Sequence, residues 1–121
     1  MPAAQSSYAY ARDNVLRGGL LDAALKDLCF RYVAGDPDVS DLARFDGRER
    51  AALDWAHAIA WDSDRADDEL WTRLHRLFGE GELVELGCAI GFELGQQHWR
   101  RTLGLPGRDI VPLTNRVAAA R

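Results

Sequence analysis

Apolar and polar positions along this chain recur at helical spacing almost throughout, and Gly, Pro and Asp punctuate them into segments. Tyr8, Ala11, Val15 and Leu16 predict a first helix over Gln5–Arg17, stopped by Gly18-Gly19. Asp22 is placed to cap a second, in which Leu25, Leu28, Cys29, Tyr32 and Val33 form one face, with a stop at Gly35-Asp36-Pro37. Residues 36–45 are acidic and turn-rich and predict a loop with one helical turn around Ser40–Ala43. Asp46-Gly47-Arg48-Glu49 has the spacing of a capping box, and a third helix follows to about Trp61, with Ala52, Leu53, Trp55, Ala56, Ile59 and Ala60 on its apolar face. Asp67 or Asp68 opens a fourth helix through Leu70, Trp71, Leu74, Leu77 and Phe78, and its cationic end, Arg73, His75 and Arg76, suits the helix dipole. After Gly79-Glu80-Gly81 comes the longest segment, Glu82–Leu103, closed by Gly104 and Pro106. No stretch between Gly18 and Gly104 alternates as a strand would.

The long segment is the least ordinary. At 100° per residue, Leu83, Val84, Leu86, Gly87, Cys88, Ile90, Gly91, Leu94, Gly95 and Trp99 cover more than half of its circumference, and His98 falls within that arc. Glu82, Glu85, Glu93, Gln96 and Arg100 gather on the opposite side. The pattern therefore predicts a mostly buried helix carrying a buried histidine. Gly87, Gly91 and Gly95 form a ridge without side chains, and interior glycines cost about 1 kcal/mol each relative to alanine, so close packing must offset them.

Length and charge change this picture little. The 121 residues fit one all-α domain over 1–105, with 106–121 as a C-terminal arm or tail. Composition, 47% hydrophobic and 28% charged with a net charge of -4, is globular and argues against nucleic acid as a partner. Lys26 is the single lysine, and the arginine- and alanine-rich composition suggests a bacterial source. No N-terminal segment reads as a signal peptide and no run reaches the ~18 apolar residues of a membrane span. A cytoplasmic location is expected. Cys29 and Cys88 both sit among apolar neighbours and predict two buried free thiols rather than a disulfide.

The run from Phe45 to Leu105 carries RERAAL at a helix start, a D-x-L-W-x-x-L helix, a glycine turn, E-L-V-E-L and a closing T-L-G-L. In that order and spacing it resembles the C-terminal half of the carboxymuconolactone decarboxylase and alkyl hydroperoxidase D-like superfamily. Upstream, LDAALKDLCFRYVAG is similar to that family's L-x-x-R-L-K-E-L helix, so the resemblance spans residues 20–105. It implies an all-α fold of about five helices, an antiparallel bundle of the alkyl hydroperoxidase D-like type, assembled as a homo-oligomer in which helices from several subunits pack into a ring. Peroxidase members carry a C-x-x-C pair with a nearby His on the helix after the L-K-E-L segment. Here Gly35-Asp36-Pro37 leads almost directly to the RERAAL helix, so that helix is missing and disulfide-based peroxide reduction is disfavoured. Decarboxylase members, acid/base enzymes on small lactone carboxylates, need no cysteine pair.

Two functions follow as expectations. One is a small-molecule enzyme without a cofactor, with His98 as acid/base and Glu85 or Glu93, from the same or an adjacent subunit, as its partner. Trp99, Gly91, Gly95 and Cys88 would then line the substrate site. The other is a non-catalytic helical protein for assembly or ligand binding. For His98 the ordinary alternative is a core histidine satisfied by a carbonyl or carboxylate, and for Trp99 plain packing. His57 and His75 are expected at exposed helix margins. No two His or Cys share a helix at ligand spacing, so no metal is expected.

Overall fold

In a computed structural model the described residues are 18–104, together with Ser6, Ala9, Tyr10 and Asp13. Apart from those four residues, the helix expected over Gln5–Arg17 lies outside the described residues, as does the arm expected over 106–121. Within them the protein is all-α: α1 (Ala23–Val33), α2 (Gly47–Trp61), α3 (Asp68–Leu77) and α4 (Glu80–Thr102), with short 3-10 turns at Pro37–Val39, Leu42–Arg44 and Ser63–Arg65. No strand occurs among the described residues.

Local chemistry explains most of these boundaries. Asp22 accepts a hydrogen bond from the Leu25 N–H at 3.0 Å, and Asp67 accepts one from Leu70 at 2.9 Å, each satisfying a donor the helix start leaves unpaired. Gly35, at φ +83, turns the chain out of α1 in a conformation other residues resist. The two 3-10 turns after it take their caps from Asp36 and Asp41. Asp36 is buried and also receives Arg31 Nη1 at 3.1 Å. The capping box expected at Asp46 and Glu49 does not form, since Asp46 makes no side-chain cap hydrogen bond. α2 instead enters through Gly47 at φ +55. At the α3–α4 corner the box is made with glycine: Glu82 turns back to accept from the Gly79 N–H at 2.8 Å. α4 ends at Leu103 and Gly104, where Gly104 takes φ +71.

α2 sits at the centre and packs on α1, α3 and α4, while α1 also meets α4 directly. Its buried positions are mostly alanine (Ala51, Ala52, Ala56 and Ala58, with Leu53), which lets neighbouring helices approach closely. Around it Cys29, Phe30, Val39, Leu74, Leu86 and Ile90 complete the core. Of the two thiols expected to be buried, only Cys29 is; Cys88 is exposed.

Candidate functional site

α4 is rotated relative to the orientation its sequence pattern predicts. Its buried residues are Leu83, Leu86, Ala89, Ile90, Glu93, Gln97 and Arg100. Glu93 and Arg100, expected on a solvated arc, face inward, and Gln97 Nε2 donates to Glu93 Oε2 at 3.1 Å in that buried setting. His98, Gly91, Gly95 and Cys88, expected on the buried face, are exposed, as are Val84 (62%) and Trp99 (42%). The reason is that the apolar arc is wider than its neighbours can cover, so Leu83, Leu86 and Ile90 turn inward while the rest of the arc stays outside. Long polar side chains that find partners can then occupy the interior.

The three expected catalytic residues consequently do not converge within the chain. His98 stands on the surface of α4. Glu93 is fully buried and faces away from it. Glu85 is committed elsewhere: its carboxylate accepts the Leu20 N–H at 2.7 Å and the Leu21 N–H at 2.9 Å, and pairs with Lys26 Nζ at 3.0 Å. Lys26, fully buried, also donates to the Gly18 carbonyl. Burial pushes the Glu85 carboxyl up, but the Leu21 and Leu20 N–H groups and Lys26 together outweigh it and hold it below the usual carboxylate range. Glu85 therefore ties the chain entering α1 to the middle of the molecule, an anchoring role that its place on the polar arc of one helix did not reveal. The Cys29 thiol is pushed up to about 12 by burial, which leaves no thiolate for redox chemistry near neutral pH.

A different constellation stands in the open part of the molecule. Trp55 of α2 and Trp71 of α3 meet edge to face, with ring centroids 5.4 Å apart. Together with His75, Glu80, Leu83, Val84, Gly87 and Cys88 they line a groove of about 360 Å³ whose walls are almost wholly apolar. Gly87 is what lets α4 lie against Trp55, because a Cβ there would stand 2.9 Å from the indole Cη2. His75 Nδ1 lies 2.9 Å from the Trp71 carbonyl, and its ring is tilted against the Trp71 indole at 5.7 Å. Of the expected substrate-lining residues, Cys88 belongs to this groove. Gly91, Gly95 and Trp99 continue outward from it along the same exposed face of α4. The sequence places Trp55 and Trp71 on apolar helix faces but gives no sign that two helices would bring them edge to face.

A second polar feature is the pair of Tyr32 and His57, with Tyr32 Oη 2.8 Å from His57 Nδ1. Trp61 packs its edge against both rings. His57 is thus half-buried and bonded rather than exposed, whereas His75 is exposed as expected. Burial, followed by the opposing influence of Arg65, sets the Tyr32 hydroxyl above its ordinary value, and it remains protonated near neutral pH. Among the described residues no group of three metal-ligating side chains converges, and no helix is long and apolar enough to cross a membrane.

Compared with known proteins, the chain matches no family model, no curated protein and no solved structure.

Proposed function

We propose that the protein is a non-catalytic helical binding module whose working surface is the groove between Trp55 and Trp71 and the exposed face of α4 that runs from it. The observation that carries this is the groove itself: two indoles packed edge to face and walls with almost no polar atoms. Such a surface binds by burying apolar area, at about 25 cal/mol per Å², and orients a flat ring by its aromatic walls. Its ligand is therefore an apolar, flat group rather than a small charged acid.

The acid/base chemistry on lactone carboxylates that the family resemblance implies would need a carboxylate to reach His98 from another subunit, since Glu85 and Glu93 are both engaged away from it. Titration with anilinonaphthalene sulfonate, followed by tryptophan fluorescence, separates the two. Binding should be saturable, weakened about tenfold by Trp71→Ala, the loss of roughly one aromatic pair, and unchanged by His98→Ala. Turnover of a lactone carboxylate that His98→Ala abolishes would overturn the proposal.

A further inference from the structure

His75 lies in the last turn of α3 and lines the groove together with Trp71, one turn before it. Its Nδ1 is 2.9 Å from the Trp71 carbonyl oxygen. A carbonyl can only accept, so Nδ1 carries the hydrogen, and the neutral imidazole is left with its lone pair on Nε2. The backbone thus selects the tautomer. The Trp71 indole holds the ring's plane, tilted at 48° with centroids 5.7 Å apart. Nε2, at the end of the ring turned away from the α3 backbone, is therefore an acceptor of fixed identity held in place beside an apolar groove.

Acceptors are scarce in that groove. Among its lining side chains only His75 and Glu80 can accept a strong hydrogen bond, because the indoles donate and the others are aliphatic, a thiol or glycine. Glu80 is exposed in the first turn of α4, where water and the positive end of the helix already stabilise its carboxylate. The His75 ring is already held by two contacts, so bonding to it costs less ordering. A ring that displaces water from Nε2 without replacing its hydrogen bond leaves a desolvated acceptor behind. A ring with an O–H or N–H at its edge restores the bond. The groove can then reject an analogue that lacks the donor.

We infer that the ligand of the groove is a flat aromatic compound bearing a hydrogen-bond donor at its edge, such as a phenol or an indole. Its ring lies against Trp55 and Trp71, and its donor meets His75 Nε2. The inference rests on the binding role proposed for the groove and names the class of compound it takes.

Paired probes that differ only by a methyl group on the donor test it: 2-naphthol against 2-methoxynaphthalene, and indole against 1-methylindole, titrated calorimetrically at neutral pH. In the wild type each donor should bind about fivefold more tightly than its methylated partner, the worth of one net hydrogen bond. His75→Phe keeps an aromatic ring beside Trp71 and removes the acceptor. It should abolish both preferences while the methylated probes still bind, which separates the hydrogen bond from the bulk of the methyl group, present in both proteins. Should that variant fail to fold, nitrogen NMR of the wild-type imidazoles decides. Neutral His75 should carry its proton on Nδ1, and its Nε2 resonance should shift with 2-naphthol and stay in place with 2-methoxynaphthalene.

Equal binding within each pair, preferences that survive His75→Phe, or a His75 protonated on Nε2 overturns the inference. A preference lost in Glu80→Ala instead overturns it too and moves the donor's seat to that carboxylate. None of these outcomes touches the groove's binding role so long as the methylated probes bind and Trp71→Ala weakens them. Absence of Trp71-dependent binding by all four probes overturns that role, and this inference with it.

Discussion

Lys26 is fully buried, a place lysine almost never takes without a partner. Its ammonium is satisfied by the Gly18 carbonyl and by Glu85, and Glu85 is in turn filled by two backbone N–H groups. Leaving one member of such a buried pair alone costs several kcal/mol, more than the pair itself contributes. Glu85→Gln should therefore destabilise the protein by about 2 kcal/mol at neutral pH, read from urea midpoints. The pH dependence follows from the lowered folded-state pKa of Glu85. Its contribution is complete above the unfolded carboxylate value, about 4.3, and is lost as pH falls through the folded value. The wild type should lose stability below about pH 4.3 more steeply than Glu85→Gln, and identical acid slopes would remove Glu85 from this role. None of this was legible at Glu85 in the sequence. Its three partners are 59 to 65 residues away, and residue type alone fits a solvated carboxylate or an acid/base group equally well.

At the scale of the element, α4 shows the limit of periodicity. The segment, its glycine entry and its glycine exit follow from local signals, and the helix forms where they place it. Its orientation does not follow. Leu83, Leu86, Ile90 and Leu94 keep to one side, but small residues, Val84, Phe92 and Trp99 extend the apolar arc far beyond it, and the side turned inward is the one that meets α1, α2 and α3. The three ridge glycines then separate into two kinds, which substitution should reveal. Gly91→Ala and Gly95→Ala, where a Cβ meets nothing within 4 Å, should each raise stability by about 0.5–1 kcal/mol, the ordinary helix preference for alanine. Gly87→Ala should lose about 1–3 kcal/mol, because its Cβ meets the Trp55 ring at 2.9 Å. A uniform gain at all three would mean that Trp55 yields readily and that the groove is not held open by Gly87.

The whole molecule is held together at its corners as much as in its core. Arg48, in the first turn of α2, donates to the Leu77 carbonyl at 2.8 Å, lies 4.3 Å over the Phe78 ring and approaches Glu82 at 3.8 Å. It thereby fixes the start of the central helix against the turn between α3 and α4. Its sequence neighbours suggest only an ordinary first-turn cation. Asp54 does the same work between α2 and α3, receiving Arg50 at 3.0 Å and Arg73 at 2.9 Å. Arg48→Ala should cost about 1–2 kcal/mol, the sum of a charge-assisted hydrogen bond and a partly exposed cation–π contact. Arg48→Lys should recover less than half of that, because the planar fork is lost; full recovery by lysine would make the contact one of charge alone.

By itself the sequence determined the all-α class, the ends of α1, α2, α3 and α4 to within a few residues, and the small-residue and aromatic content from which a groove is made. Caps, glycine turns and the 3.6-residue period act over one or two turns, and a chain states them locally. Only the tertiary structure decided which side of α4 faces inward, that Glu85 anchors the chain beside Lys26, and that Trp55 and Trp71 meet beside Gly87. Those outcomes depend on groups brought together from distant parts of the chain, and where the apolar arc of a helix is wider than its neighbours can cover, its own pattern does not say which part is buried.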